Sequence, residues 1–133
     1  MKIMMRVAEI VQRDLEAFAQ AESKDNGKPV SLARVVDIPR AVSNFEFFAT
    51  AIMHYASESH AMENSAINYT LRQPIGVVGC ISPWNLPLYL LTWKIAPCIA
   101  FGCTCVCKPS EFTSVTANML AQVLVDAGKR NVF

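Results

Sequence analysis

Three polar side chains in this 133-residue sequence are candidates for catalysis or ligand binding, namely Asn85, Lys108 and Glu111. Asn85 lies in an apolar setting between Trp84 and Pro87, where its amide offers two N–H donors without a charge. Such a donor suits an oxygen that becomes negative during carbonyl chemistry. The same amide would suit the N-cap of a helix, and the local sequence leaves both interpretations open.

Lys108 and Glu111 belong to the segment Lys-Pro-Ser-Glu and can present a cation and a carboxylate at one rim. A carboxylate at the end of the second strand of a nucleotide-binding fold commonly holds the two ribose hydroxyls of NAD. It would repel the additional phosphate of NADP. The alternative is a surface lysine and a glutamate near the start of a helix, where negative charge is favourable. Position alone does not choose between these two interpretations.

The elements that must position these side chains are two apolar strands with helices after them. Residues 76–81 form a continuous apolar run, which is typical of a strand buried on both faces of a parallel sheet. Residues 87–101 predict an apolar helix, 103–107 a second buried strand, and 113–127 an amphipathic helix. This order predicts an α/β fold with a partial doubly wound parallel sheet. Ligands bind at the carboxyl ends of such strands, where both candidate segments lie.

The first half of the chain predicts long helices that precede this sheet. Apolar residues recur at steps of three and four over residues 3–18, and Asp-Asn-Gly at 25–27 predicts the end of that helix. A second apolar stripe covers residues 32–55. Pro39 lies inside it and predicts a kink or a break, because proline removes a backbone donor.

A change of pattern separates the helical half from the sheet. Residues 57–65 are polar and predict a loop, whereas residues 66–72 alternate and are rich in strand-forming side chains. We therefore divide the chain into three parts. They are a helical part over 1–65, a strand over 66–75, and a strand-helix-strand-helix part over 76–133, with a third strand due in the tail after Gly128.

The bulk composition excludes several classes of partner. Lys and Arg number 12 against 11 Asp and Glu, and no basic stripe is present, so we expect no nucleic-acid binding. The longest uncharged run lies between Arg72 and Lys94, but Asn85 and three prolines interrupt it, so it is not the run of roughly 18 apolar residues that a membrane-spanning helix needs. We expect no membrane partner and a cytoplasmic location.

The five cysteines indicate a reducing compartment, because three of them alternate along one short segment that is poorly placed for disulfides. We interpret them as small buried hydrophobic residues rather than as nucleophiles. The spacing of Cys103, Cys105 and Cys107 is not that of a zinc site, and no histidine follows nearby. The expectation is therefore that the chain holds no metal.

Several linked segments resemble the aldehyde dehydrogenase superfamily. They are Gln-Pro-Ile-Gly-Val-Val-Gly at 73–79, Ser-Pro-Trp-Asn-Leu-Pro at 82–87, Trp-Lys at 93–94 and Lys-Pro-Ser-Glu at 108–111. The helical segments at 20–25 and 37–40 are also similar to this family. Several elements in register are a far more specific signal than one isolated motif.

The resemblance implies a Rossmann-like NAD-binding domain and the NAD-dependent oxidation of an aldehyde to a carboxylic acid. It implies that Asn85 supplies the side-chain half of an oxyanion hole, and that Lys108 and Glu111 hold the adenosine ribose of NAD. Lys94 would lie near the site. The remaining implied residues are Ile81, Ser82, Pro83 and Trp84 along the cofactor, and Leu86, Leu90 and Trp93 along the aldehyde tunnel.

The same resemblance places the nucleophilic cysteine, the general-base glutamate and the glycine-rich turn of the family beyond these 133 residues. We therefore expect a fragment that is inactive alone. One alternative is an interaction fragment: residues 69–72 resemble a strand that helps to build the family's oligomer, so the chain could pair with full-length subunits. A truncated product without function is another alternative. The expected partners are a small aldehyde and further dehydrogenase subunits.

Overall fold

Amphipathic spacing makes the start of the chain helical in the computed structural model, which describes residues 1–63 and 65–128. Helix α1 spans Lys2–Arg13 and helix α2 spans Leu15–Asn26. The single helix expected here is interrupted at Asp14, whose carboxylate accepts two hydrogen bonds from the neighbouring Arg13. Helix α2 ends at Gly27, which adopts the left-handed conformation with a φ of 80° that favours glycine.

The predicted break at Pro39 is confirmed, and it takes the form of a π-helical turn. A short helix α3 (Val30–Leu32) leads into π-helical residues Ala33–Asp37, and helix α4 (Ile38–Ala51) follows. Pro39 is the second residue of α4, where its missing N–H and its ring interrupt the regular hydrogen-bond ladder of the preceding turn. The wider turn brings the Asp37 side chain into the interior.

A hairpin follows α4 after a 3₁₀ turn at Ile52–His54. Strand β1 (Ser59–Met62) pairs antiparallel with strand β2 (Ala66–Tyr69). The expectation of a loop over residues 57–65 is therefore wrong for β1, and the helical part predicted over 1–65 contains a strand. Every residue of both strands is exposed. Strand β1 therefore lacks the alternation of apolar and polar residues by which a half-buried strand is predicted.

The second half has the predicted strand-helix-strand-helix order. Strand β3 (Val77–Ile81), helix α5 (Pro87–Ala100), strand β4 (Thr104–Lys108) and helix α6 (Val115–Gly128) follow one another. Strands β3 and β4 pair parallel, from Val77 opposite Thr104 to Ile81 opposite Lys108. The α/β class with a small parallel sheet is confirmed. The third strand expected in the tail lies outside the described residues.

Among residues 1–63 and 65–128 the sheet is covered on one face only, so the expectation that both strands are buried on both faces is wrong. Helix α5 packs against β3 and β4. On the opposite face Val77, Ile81 and Val106 are 72%, 67% and 67% exposed. An apolar sequence predicts that a strand can be buried, but its actual burial depends on the elements that pack on it.

The hydrophobic core lies between the helices. Helix α4 packs against both α1 and α5, and α6 closes the other side of α1. Within the described ranges, none of the helices has the length and apolar content needed to cross a bilayer. The largest fully buried apolar side chains are Phe18, Phe45, Ile38, Leu88, Leu91 and Leu120.

Candidate functional site

The two candidate loops meet at one edge of the parallel sheet. Ile81 and Lys108 are the last paired residues of β3 and β4. The Ser82 N–H then donates to the Lys108 carbonyl oxygen at 3.2 Å and extends the ladder by one bond. The loop after β3 and the loop after β4 therefore begin side by side, at the carboxyl edge where α/β sheets bind ligands.

Lys108 and Glu111 present opposite charges at the end of β4. Both side chains are exposed, and the Lys108 Nζ donates to the Pro109 carbonyl oxygen at 3.1 Å. A bond from its own backbone N–H, one from the Ser110 hydroxyl and the charge of Lys108 together hold the pKa of Glu111 below its ordinary value. Glu111 is thus an ionised acceptor at this edge.

The alternative interpretation of Glu111 as a helix-start residue does not hold. Helix α6 begins only at Val115, four residues later. The N–H of Val115 is instead satisfied by the Asp25 carboxylate at 2.9 Å, a residue near the end of α2. Because another carboxylate fills the capping role, Glu111 is not the cap of α6.

Asn85 is also not a helix cap. Helix α5 begins at Pro87, and its N-cap residue Leu86 makes no side-chain capping bond. Asn85 is exposed, and its amide has no hydrogen-bond partner among residues 1–63 and 65–128. The structure therefore leaves two N–H donors free next to the first turn of α5.

The backbone around Asn85 is held by residues at the end of α2. The Lys28 Nζ donates to the Asn85 carbonyl oxygen at 3.3 Å, and the Asn26 amide donates to the Trp84 carbonyl oxygen at 3.4 Å. The N–H of Leu88, in the first turn of α5, donates to a Glu22 carboxylate oxygen at 3.2 Å. The loop is thus fixed while the Asn85 side chain stays free.

A buried charged network lies directly behind this loop. Lys28 forms ion pairs with Glu22, at 3.2 Å, and with Asp37. Both carboxylates are almost fully buried, and Thr116 of α6 donates to Glu22 at 3.4 Å. Burial raises the pKa of Glu22 to about 7, with the neighbouring Asp37 adding to the rise and Lys28 opposing it. The network joins α2, the π-helical turn, α5 and α6.

Our sequence reasoning missed this network, although one signal for it exists. Glu22 follows the buried Phe18 by one helical turn and therefore lies on the buried face of α2. A carboxylate on an apolar face requires a partner, because an isolated buried charge is very unfavourable. Lys28 and Asp37 carry no comparable signal, since a loop and a π-helical turn position them.

The three residues assigned to the aldehyde tunnel lie along one stripe of α5 and its N-cap. Leu86 and Leu90 are half-buried, and Trp93 is exposed. The Trp93 ring makes edge contacts with Phe48 at 6.1 Å and with Tyr89 at 6.3 Å, measured between ring centroids. The stripe begins next to Asn85, so an apolar surface adjoins the free amide. Lys94, also exposed, follows on the same helix.

The four residues assigned to the cofactor path differ in exposure. Ile81, Pro83 and Trp84 are exposed, whereas Ser82 is buried. The Ser82 hydroxyl has no hydrogen-bond partner among the described residues. A buried hydroxyl without a partner at the ligand-binding edge of a sheet fits a site that a polar ligand or a water completes.

The cysteines lack the features of a nucleophile. Burial, reinforced by neighbouring thiols, raises the pKa of Cys98 and of Cys105 to about 12, and burial also raises the pKa of Cys107. These three side chains are therefore protonated at neutral pH, whereas a catalytic cysteine needs a lowered pKa. All five cysteines are free thiols.

The sequence matches known proteins over nearly its whole length. The protein-family model described as 'Aldehyde dehydrogenase family' matches residues 1–130. The chain is 56% identical over 128 residues to 2-aminomuconic semialdehyde dehydrogenase of Bos taurus, covering 96% of this chain and 26% of the relative. It is 47% identical to 2-hydroxymuconic semialdehyde dehydrogenase of Pseudomonas sp. (strain CF600), covering 96% of this chain and 27% of the relative. The chain thus spans about a quarter of the length of these relatives.

Solved structures have the same backbone arrangement. The NAD⁺ complex of an aldehyde dehydrogenase from Bacillus cereus superposes with a TM-score of 0.92 at 35% sequence identity. The match covers 96% of this chain and 26% of that structure. The agreement extends over the helices as well as the sheet, because the coverage is nearly complete.

Proposed function

Since the chain belongs to the aldehyde dehydrogenase family, we propose that the carboxyl edge of β3 and β4 forms part of an NAD-dependent site that oxidises an aldehyde to a carboxylic acid. The observation that carries this proposal is that the loop with the free Asn85 amide and the loop with Lys108 and Glu111 begin side by side at one sheet edge. Such edges are where α/β sheets bind nucleotides.

Lys108 and Glu111 would hold the adenosine ribose of NAD. The ionised Glu111 carboxylate can accept hydrogen bonds from two ribose hydroxyls, and the Lys108 ammonium can donate to them. Ile81, Ser82, Pro83 and Trp84 would lie along the cofactor, where the unpartnered Ser82 hydroxyl offers a hydrogen bond. NAD supplies the hydride acceptor when it is bound.

Asn85 would stabilise the negative oxygen that develops when the aldehyde carbonyl is attacked. Its amide has no competing hydrogen bond, and Lys28 holds its backbone carbonyl. A backbone that is held in place keeps this donor beside the first turn of α5, and a donor placed where negative charge develops stabilises that charge. Leu86, Leu90 and Trp93 would exclude water from the aldehyde, since they form the apolar stripe beside this amide.

The finer assignment of substrate rests on the relatives. The relatives from Bos taurus and Pseudomonas described above are both named for semialdehydes of the muconic type. We propose an aldehyde of this class as the substrate of the protein to which this segment contributes. The nucleophile and the general base would come from residues outside these 133, since burial keeps Cys98, Cys105 and Cys107 protonated. The chain alone would then bind NAD without turning it over. Its five free thiols suit a reducing location such as the cytosol.

Thermal unfolding of the purified chain, followed by circular dichroism with and without NAD, tests the proposal. Ligand that binds only the folded state at 100 times its Kd raises stability by about 2.7 kcal/mol, so we expect a clear increase in Tm. Glu111→Ala should abolish the increase, whereas the matched control Glu46→Ala, on the exposed face of α4, should retain it. NADP should give a smaller increase than NAD.

The proposal is contradicted if the chain unfolds cooperatively and NAD leaves the Tm unchanged. If NAD raises the Tm of the Glu111→Ala variant as much as that of the parent chain, only the role proposed for that carboxylate is contradicted. These two results separate the function of the edge from the assignment of one residue.

A second candidate function is pairing with full-length dehydrogenase subunits. The observation that favours it is the β1–β2 hairpin, in which Ile67 and Tyr69 are 73% and 65% exposed. Exposed apolar strands are available for edge pairing with another chain. Co-purification with a full-length dehydrogenase, lost on Ile67→Lys, is the expected result. A chain that stays monomeric in such a mixture would contradict it, and a chain that is unfolded and degraded would support the truncated product instead.

A further inference from the structure

Three cysteine sulfurs form a compact cluster on the parallel sheet. The Sγ atoms of Cys80, Cys105 and Cys107 all lie within 4.8 Å of one another. Cys105 and Cys107 are 3.7 Å apart on β4, and Cys80 of β3 is the register partner of Cys107. The three side chains therefore project from one face of the sheet, the face that α5 covers.

These distances match those between the ligands of a thiolate metal site. Zn–S bonds of about 2.3 Å in a tetrahedral arrangement place neighbouring sulfurs roughly 3.8 Å apart. The Cys105–Cys107 separation of 3.7 Å is already close to this value, and the Cys80 sulfur lies within 4.8 Å of both. Thiolates are soft ligands that select ions such as Zn²⁺ and Cu⁺ over Mg²⁺ or Ca²⁺.

The cluster is open on one side. Cys80 is buried, Cys105 is half-buried and Cys107 is exposed. Cys107 borders a cavity of about 280 Å³ between β4, α5 and α6. An ion can therefore reach the sulfurs from the cavity, and a fourth coordination position would face it. Other residues that line this cavity are Leu91, Ile95, Pro109, Ser114 and Asn118.

We propose that Cys80, Cys105 and Cys107 form a binding site for one thiophilic metal ion of the Zn²⁺ class. Binding forms three metal–sulfur bonds, releases the three thiol protons to solvent and leaves one position for water. The expectation of no metal rested on the spacing of Cys103, Cys105 and Cys107. In the structure Cys80, and not Cys103, lies beside Cys105 and Cys107. Cys80 belongs to the neighbouring strand and is distant in sequence.

The test is a titration of the reduced chain with Zn²⁺ against a chromophoric chelator, together with the absorption of the Co²⁺-substituted chain. We expect one ion per chain and thiolate-to-cobalt charge-transfer bands. Cys107→Ser and Cys80→Ala should each lower the Zn²⁺ affinity at least about tenfold. Cys103→Ser is the matched control, because Cys103 lies next to β4 but outside the cluster, and it should leave the affinity unchanged.

The same variants distinguish the folded site from adventitious binding to an unfolded chain. In an unfolded chain the alternating cysteines act as a linear motif, so Cys103→Ser would weaken binding as much as Cys107→Ser, and Cys80→Ala would have no effect. That pattern would overturn the proposal, as would the absence of Zn²⁺ binding. Circular dichroism of each variant establishes whether it is folded, and the exposed position of Cys107 makes its serine variant the least disruptive.

Discussion

Replacement of Glu22 by glutamine should change how the stability of this chain depends on pH. The Glu22 side chain is 1% exposed, and burial raises its pKa from 4.5 to about 7, while the Lys28 ammonium and the Asp37 carboxylate face it. Between these values the folded chain retains a proton that the unfolded chain releases. The stability that Glu22 contributes is therefore fully present below pH 4.5 and is lost as the pH rises through about 7.

The size of this fall follows from the two pKa values. The interval from 4.5 to about 7, at roughly 1.4 kcal/mol for each pH unit, corresponds to about 3 kcal/mol. Urea denaturation at several pH values between 5 and 8 should show the free energy of unfolding of the parent chain falling by most of this amount. Glu22→Gln should remove that part of the fall, because glutamine does not titrate and its carbonyl oxygen can still accept from Leu88.

The matched control is Glu46→Gln, in which an exposed glutamate of α4 is neutralised. This variant should keep the pH dependence of the parent chain. The other titrating groups are present in every variant, so their contributions to the free energy of unfolding cancel when variants are compared. Parallel pH profiles for the parent chain and Glu22→Gln would refute the reasoning. If Glu22→Gln does not fold, NMR titration of the Glu22 carboxyl in the parent chain gives a direct answer: a midpoint near 4.5 rather than 7 would contradict it.

Three further predictions concern single side chains. Arg34→Ala removes the guanidinium that holds the pKa of Glu16 at about 2, so an NMR titration should show the midpoint of Glu16 returning towards 4.5; an unchanged midpoint would contradict the pairing. Asn44→Ala removes two buried hydrogen bonds between α4 and α5 and should lower stability in urea by about 2 kcal/mol; a loss below about 0.5 kcal/mol would show that these bonds contribute little. Gly27→Ala should cost about 1 kcal/mol because the φ of Gly27 is 80°, whereas Gly79→Ala, at an uncrowded position without a positive φ, should cost less. Equal losses would refute the backbone explanation.

The parts of the fold that could be predicted are those that local sequence patterns indicate. The apolar run at 76–81, the proline at the start of α5 and the glycine after it are local signals, and they produced the correct order of strands and helices. The proline at 39 likewise marked a break that the π-helical turn confirms. Strand β1 was missed because its residues are exposed and only its pairing with β2 makes it a strand.

The residues of the candidate site also fall into those that local sequence patterns predict and those that they do not. The positions of Asn85, Lys108 and Glu111 at the sheet edge followed from the predicted strand ends, although their roles stay a prediction. The predicted start of α5 at residue 87 is confirmed, but a pattern defines helix ends only to within one or two residues, so the sequence alone did not choose between a cap and a free amide at Asn85. The Glu22 network joins segments that are far apart in sequence, so no local pattern contains it.

The one-sided cover of the β3–β4 sheet has a consequence for hydrogen exchange. The helices α1, α4 and α5 enclose the core, whereas the sheet packs mainly against α5 in the described part of the chain. Amides in regions with few buried contacts open at the lowest free energy, so those of β3 and β4 should exchange with deuterium before those of α1 and α4. The carboxyl edge of β3 and β4 therefore belongs to the least protected part of the described chain, and a ligand bound at that edge would slow the exchange there.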